Sequence, residues 1–141
     1  MRFRSATPLA AVGALTLLGL SACGGDSSGG STAACGSITA TVADVSEEDA
    51  DVVVKATDGI IWNAKEYSAA GEEFTLYGVN TSQLPHNLQV RCADGSSAGL
   101  PIDLPSKGSS GAITITAQPG QYRIVCLIPG HSAMNSALNV I

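Results

Sequence analysis

The sequence predicts an all-β fold, an antiparallel β-sandwich in a single domain, and three observations carry that expectation. Short runs that alternate apolar and polar residues, or are rich in β-branched ones, recur from residue 38 onward. Clusters of Gly, Pro, Asp and Ser separate these runs at hairpin-like spacing. No stretch sustains a 3.6-residue periodicity, and 16 Gly with only 4% aromatics disfavour a helical bundle. The 141 residues suffice for one domain and not for two.

In chain order, Ile38–Val45 reads as the first strand and Val52–Ala56, with three valines in succession, as the second. Between them lies the acidic run 46–51, Ser-Glu-Glu-Asp-Ala-Asp. It could open a helical turn, but such a run ordinarily marks a solvated loop, with partner docking as the alternative use. Phe74–Val79, Leu88–Arg91 and Ala112–Thr116 alternate faces, and Tyr122–Cys126 and Leu138–Ile141 complete the set. Turn signals stand between them at Ala70-Gly71, Asp94-Gly95, the Gly108–Gly111 segment and Pro119-Gly120.

Residues 1–34 stand outside this pattern. Arg2 and Arg4 give a positive start, and Leu9 to Leu20 supply an apolar run too short to span a bilayer comfortably. Ser21 and Ala22 then precede Cys23, and the whole resembles a bacterial lipoprotein signal. That resemblance implies removal of residues 1–22 and a diacylglycerol on the Cys23 thiol. The competing reading is an ordinary secretory signal with Cys23 incidental. Stable anchoring needs two acyl chains, and a lipidated Cys23 would supply them. Residues 23–34 are Gly/Ser-rich and behave as a flexible linker, leaving 35–141 as the folded domain.

Charge and histidine content exclude whole classes. A net charge of −5 argues against a nucleic-acid partner, which needs concentrated positive charge. Two His in the chain are too few for multicopper oxidases, binuclear zinc hydrolases and other His-rich centres. The chain contains no phosphate-binding glycine loop and no Ser/His/Asp triad in a plausible setting. The sequon Asn80-Thr81-Ser82 carries almost no weight in a chain that looks bacterial.

The chemistry concentrates in the run from Cys126 to Met134, which holds a thiol, the imidazole of His131 and a thioether on one short loop. A soft thiolate, two imidazoles and a weak thioether make the ligand set of blue-copper electron-transfer sites. The second imidazole can come only from His86. The bland alternative is a core Cys, an unrelated surface His and a packed Met, which leaves their spacing accidental.

The run resembles the cupredoxin ligand loop, with its Cys, Pro-Gly-His, Ser-Ala and Met. Pro85-His86-Asn87 before a strand, and Pro119-Gly-Gln-Tyr122 leading to Cys126, are similar to other parts of that family. The resemblance covers roughly residues 50–141. It implies a Greek-key sandwich with one copper ion held by His86, Cys126 and His131, and with Met134 as a long axial ligand. It also implies that Asn87 ties the two ligand segments together. The His131 edge would be the electron-transfer port, rimmed by Leu84, Pro85, Pro129 and Ala133. Two positions depart from the family. Leu127 stands where many relatives have the Ser or Thr that bonds that Asn, so Asn87 is expected to lack its usual partner. Ser136 stands where a Gly often follows the Met.

With Cys23 assigned to lipid and Cys126 to copper, Cys35 and Cys92 remain, and outside the cytoplasm a leftover pair most often forms a disulfide. Such a bridge would be worth roughly 4 kcal/mol in the chain-entropy model. The expectation is thus a monomeric, lipid-anchored, extracytoplasmic one-electron carrier serving redox protein partners. It is not an enzyme, because four protein ligands leave no place for substrate. Copper storage, buffering or delivery is the second reading, and a sandwich that has lost its metal function is the third.

Overall fold

The computed structural model describes residues 38–96 and 100–141. The signal, the linker, Cys23 and Cys35 lie outside the described residues. Alternation of burial along most of the longer strands builds two layers: β5 (Glu73–Asn80) turns Phe74, Leu76, Gly78 and Asn80 inward and their neighbours outward. The same period runs through β2 (Val52–Thr57) and β9 (Gly120–Val125).

One sheet has the order β1-β8-β5-β2-β3, with β1 Thr39–Ala43, β8 Ser110–Thr116 and β3 Ile61–Trp62. The other has the order β4-β10-β9-β6-β7, with β4 Glu66–Ala69, β10 Asn135–Val140, β6 His86–Cys92 and β7 Ile102–Leu104. No helix occurs among the described residues. Val54, Leu76 and Ile115 of the first sheet meet Leu88, Val90, Ile124 and Leu138 of the second, all 0% exposed. Burying such side chains stabilises the sandwich by about 1.5–3 kcal/mol each before entropy is counted.

The seven strands expected from the sequence all occur, within two or three residues at their ends, and β3, β4 and β7 are additional. The sheets are mixed, not wholly antiparallel as expected, because β2 runs parallel to β5 and β4 parallel to β10. Parallel neighbours need a crossover. The chain supplies one by leaving β2 through β3, visiting the second sheet at β4 and returning to the first at β5. β4 offers only Tyr67 and Ala69 to the core, too little to read as a strand without its partners.

Close approach of the layers is built in at one place. Gly78 and Gly111 are paired across β5 and β8. A Cβ at Gly111 would lie 2.9 Å from Ile102 Cγ2, and one at Gly78 would lie 3.2 Å from Leu88 Cδ1. The two bare positions let the strand beginning at His86, with its neighbour β7, seat against the first sheet. His86, Val125 and Asn135 all mark one end of the second sheet. Cys92, Gly120 and Val140 mark the other end, where Thr39 also begins β1 opposite Thr116.

Candidate metal centre

The loop from Cys126 to Met134 is shaped by turn chemistry. Pro129 and Gly130 occupy the centre of a turn closed by the His131 N–H donating to Ile128 O at 3.0 Å. Gly130 has φ 90°, the value a type II turn requires at its third position. A second turn follows, with Met134 N–H donating to His131 O at 2.9 Å. Cys126 N–H then donates to Met134 O at 3.1 Å and closes the loop on itself. The sequence Pro-Gly-His therefore dictates where the imidazole stands.

Three potential metal donors converge. Single ligand atoms of His86, Cys126 and His131 all lie within 4.8 Å of one another, and all three residues are buried. Cys126 Sγ is 3.6 Å from His131 Nδ1, and the two imidazole rings are 4.9 Å apart at 49°. Met134 is fully buried on the same loop. Trp62 closes the inner side, its ring 6.4 Å from His86 and its Nε1–H donating to Ile124 O at 3.2 Å.

The protonation of His86 follows from its neighbours. Asn80 Nδ2 donates to Leu84 O at 2.7 Å and to Leu104 O at 3.0 Å, which makes its Oδ1 the acceptor. Ser82 N–H and Ser82 Oγ–H both donate to that Oδ1, each at 2.9 Å. With its proton committed, Ser82 Oγ accepts from His86 Nε2–H, at 2.8 Å. His86 Nδ1 is then a bare lone pair, and it is the one buried side-chain polar atom without a partner among the described residues. An orphaned acceptor costs about 1–3 kcal/mol of desolvation. Its place beside a thiol and a second imidazole is what a metal ligand needs. Burial, and then the nearby His131, hold the His86 pKa below its ordinary value and keep the ring neutral.

Asn87 joins the two ligand segments. Its Oδ1 accepts from Leu127 N–H at 2.7 Å, and its own N–H points at Cys126 Sγ at 3.5 Å. The usual side-chain partner of Asn87 is absent at Leu127, as expected, and the backbone N–H of residue 127 takes its place, so Asn87 still ties the two segments together. Ser136 is also accounted for, because its buried hydroxyl donates to Ala64 O at 2.6 Å and ties β10 to the segment before β4. Asn80, the sequon residue, is 0% exposed and fully engaged.

His131 is 8% exposed, and the residues expected to rim it, Leu84 at 46%, Pro85, Pro129 and Ala133, are all exposed. Leu127 is exposed at 44% and was missed in the sequence, where it read only as a departure from the family. Ser82 and Asn80 were missed as well, since nothing local links a Ser four residues before a His to its tautomer. Cys126 is the free cysteine among the described residues, and Cys92 is buried at the end of β6.

No protein-family model matches the chain, and no curated protein sequence does. Among solved structures, amicyanin from Paracoccus versutus (Thiobacillus versutus) is similar at 25% identity and TM-score 0.52, over 72% of this chain and 97% of that one. Auracyanin A, a "blue" copper protein from Chloroflexus aurantiacus, is similar at 21% identity and TM-score 0.53, over 64% and 97%. A reduced Cu(I) form of an amicyanin variant gives 20% identity and TM-score 0.52, over 72% and 98%.

Proposed function

We propose, on the premise that this chain has the cupredoxin fold, that it is a type 1 copper protein passing single electrons between redox protein partners outside the cytoplasm. The observation that carries the reading is His86 Nδ1, buried, unpartnered and grouped with the Cys126 thiol and the His131 imidazole. Copper, when bound, would supply a one-electron couple at this position. His86, Cys126 and His131 would hold it, with Met134 as the weak fourth donor.

What the protein contributes is a frame that does not need to rearrange. The Asn80–Ser82 pair fixes one imidazole, two turns fix the other, and Asn87 links the segments that carry them. Small structural change on gaining or losing an electron suits a carrier. Four side-chain donors leave no coordination place for substrate, so the site is read as non-enzymatic. Storage or delivery of copper shares the ligand set, but donors 0–8% exposed favour retention over release.

The exposed apolar rim of Leu84, Leu127, Pro85, Pro129 and Ala133 around His131 suits a small, quickly released docking contact. Attachment to a membrane through lipid on Cys23, a Cys35–Cys92 bridge and a monomeric state complete the proposal.

The test is optical and paramagnetic-resonance spectroscopy of the Cu(II)-loaded chain. An intense thiolate-to-copper visible band with reversible one-electron reduction is expected, and a colourless, redox-silent complex overturns the reading. Faster handover of copper to an apo-acceptor than of electrons to a redox acceptor would replace it by the delivery reading.

A further inference from the structure

The outer face of the second sheet carries a row of charge that neither the core nor the ligand cluster uses. The register sets Glu66 of β4, Ala137 of β10, Arg123 of β9 and Arg91 of β6 side by side. Directly paired residues share a face, and the small Ala137 leaves the floor of a cleft of about 690 Å³ that both arginines line. Arg91 and Arg123 are direct cross-strand partners, which places their Cβ atoms about 5 Å apart. Like charges so placed destabilise a sheet unless an anion joins them.

No such anion comes from the described residues. Arg123 donates through Nε to Asn135 Oδ1 at 2.7 Å and through Nη2 to Asn135 O at 3.2 Å. Arg91 donates through Nε to Gln89 Oε1 and through Nη1 to Gly95 O, both at 3.1 Å. All four acceptors are uncharged, and N–H groups remain on both forks. The carboxylates nearby are engaged otherwise: Glu66 accepts from Asn139 Nδ2, and Asp94 accepts from Ser96 N–H and Oγ–H. The sole ion pair among the described residues is Lys55 with Glu47. Beyond Cys23 the basic side chains are Lys55, Lys65, Arg91, Lys107 and Arg123, against 12 acidic ones, so two of the few cations are spent on one cleft.

We infer that this cleft docks an acidic segment of a partner protein, whose carboxylates bridge Arg91 and Arg123. The planar guanidinium fork pairs with carboxylates in two-point fashion. A concave floor suits a protruding chain, whereas an anionic bilayer is flat and is held by clusters of roughly 4–8 cations. The cleft ends against Cys126 and Met134, so a segment seated there lies beside the ligand loop.

The test uses the full chain, with and without copper, titrated with a hexaglutamate peptide while backbone amide shifts are followed. At low salt the shifts should fall on β6, β9 and β10, and about 0.5 M salt should abolish them. Arg91→Gln and Arg123→Gln should each weaken binding about tenfold, Arg91→Lys, which keeps the charge but loses the fork, should recover only part of that loss, and Lys107→Gln should change nothing. Without peptide, Arg91→Gln should melt close to the parent, since relief of the like-charge pair offsets the lost bonds to Gln89 and Gly95. Unchanged affinity in both Gln variants, shifts elsewhere, or no binding at low salt overturns the inference. Arginine-dependent binding to phosphatidylserine vesicles without binding to the peptide replaces the protein partner by a membrane. The metal-free arm keeps this result separate from the copper reading.

Discussion

His86 and the loop that carries Cys126, His131 and Met134 reach the same point by opposite means. His86 is the first residue of a regular strand, seated by core packing and by a buried chain of hydrogen bonds from Asn80 through Ser82. The loop has no regular structure and holds its shape by two consecutive turns and one closing backbone bond. Asn87 is the side chain that joins the two regions, through Leu127 N–H. A donor on a strand inherits the rigidity of the sheet, whereas a donor on a loop must be given rigidity by the residues of the loop itself. The two regions should therefore fail differently.

Replacing Cys126 by Ala removes the donor both regions approach and should abolish the thiolate-to-copper band altogether, as read by visible absorption. A persistent band would place the thiolate elsewhere. Ser82→Ala strikes the strand region alone. It leaves His86 Nε2–H without its acceptor and should cost about 1–3 kcal/mol in denaturant unfolding of the metal-free protein. Nitrogen NMR should then show loss of the single tautomer, while an unaltered tautomer would break the argument for how His86 is set. Gly130→Ala strikes the loop alone, forcing a Cβ into φ 90° at a cost of about 1 kcal/mol. Faster amide exchange should stay within the loop, and spread into β6 would mean that the two regions are not separable.

The smallest effect is a control remote from both. The Thr75 backbone N–H, then its hydroxyl, hold the exposed Asp51 carboxyl below its ordinary pKa. A depressed carboxylate stabilises the fold above its unfolded-state pKa and loses that contribution as pH falls through the folded value. Asp51→Asn should thus cost less than about 1 kcal/mol near neutral pH, with the gap to the parent closing on acidification. Its copper spectrum should match the parent.

The same division explains what could be read in advance. The loop was legible because its information is local: Cys, Pro-Gly-His and Met at short spacing specify both donors and turn. The inward and outward alternation of β5 and β8 was legible for the same reason. What escaped depends on residues distant in number. β4 becomes a strand only by lying parallel to β10, and β7 only by pairing with β6. The tautomer of His86 depends on Asn80 of one sheet bonding Leu104 O of the other. The partner of Asn87 is a backbone N–H that every residue except Pro carries at position 127, so the missing hydroxyl was legible there but its replacement was not.

The polypeptide enters the sandwich at Thr39, at the pole remote from His86. The lipid proposed on Cys23 would moor the molecule from beneath, by the pole that does no chemistry. Donor and acceptor could then approach the imidazole of His131 from the open aqueous side without contending with the bilayer for the same surface.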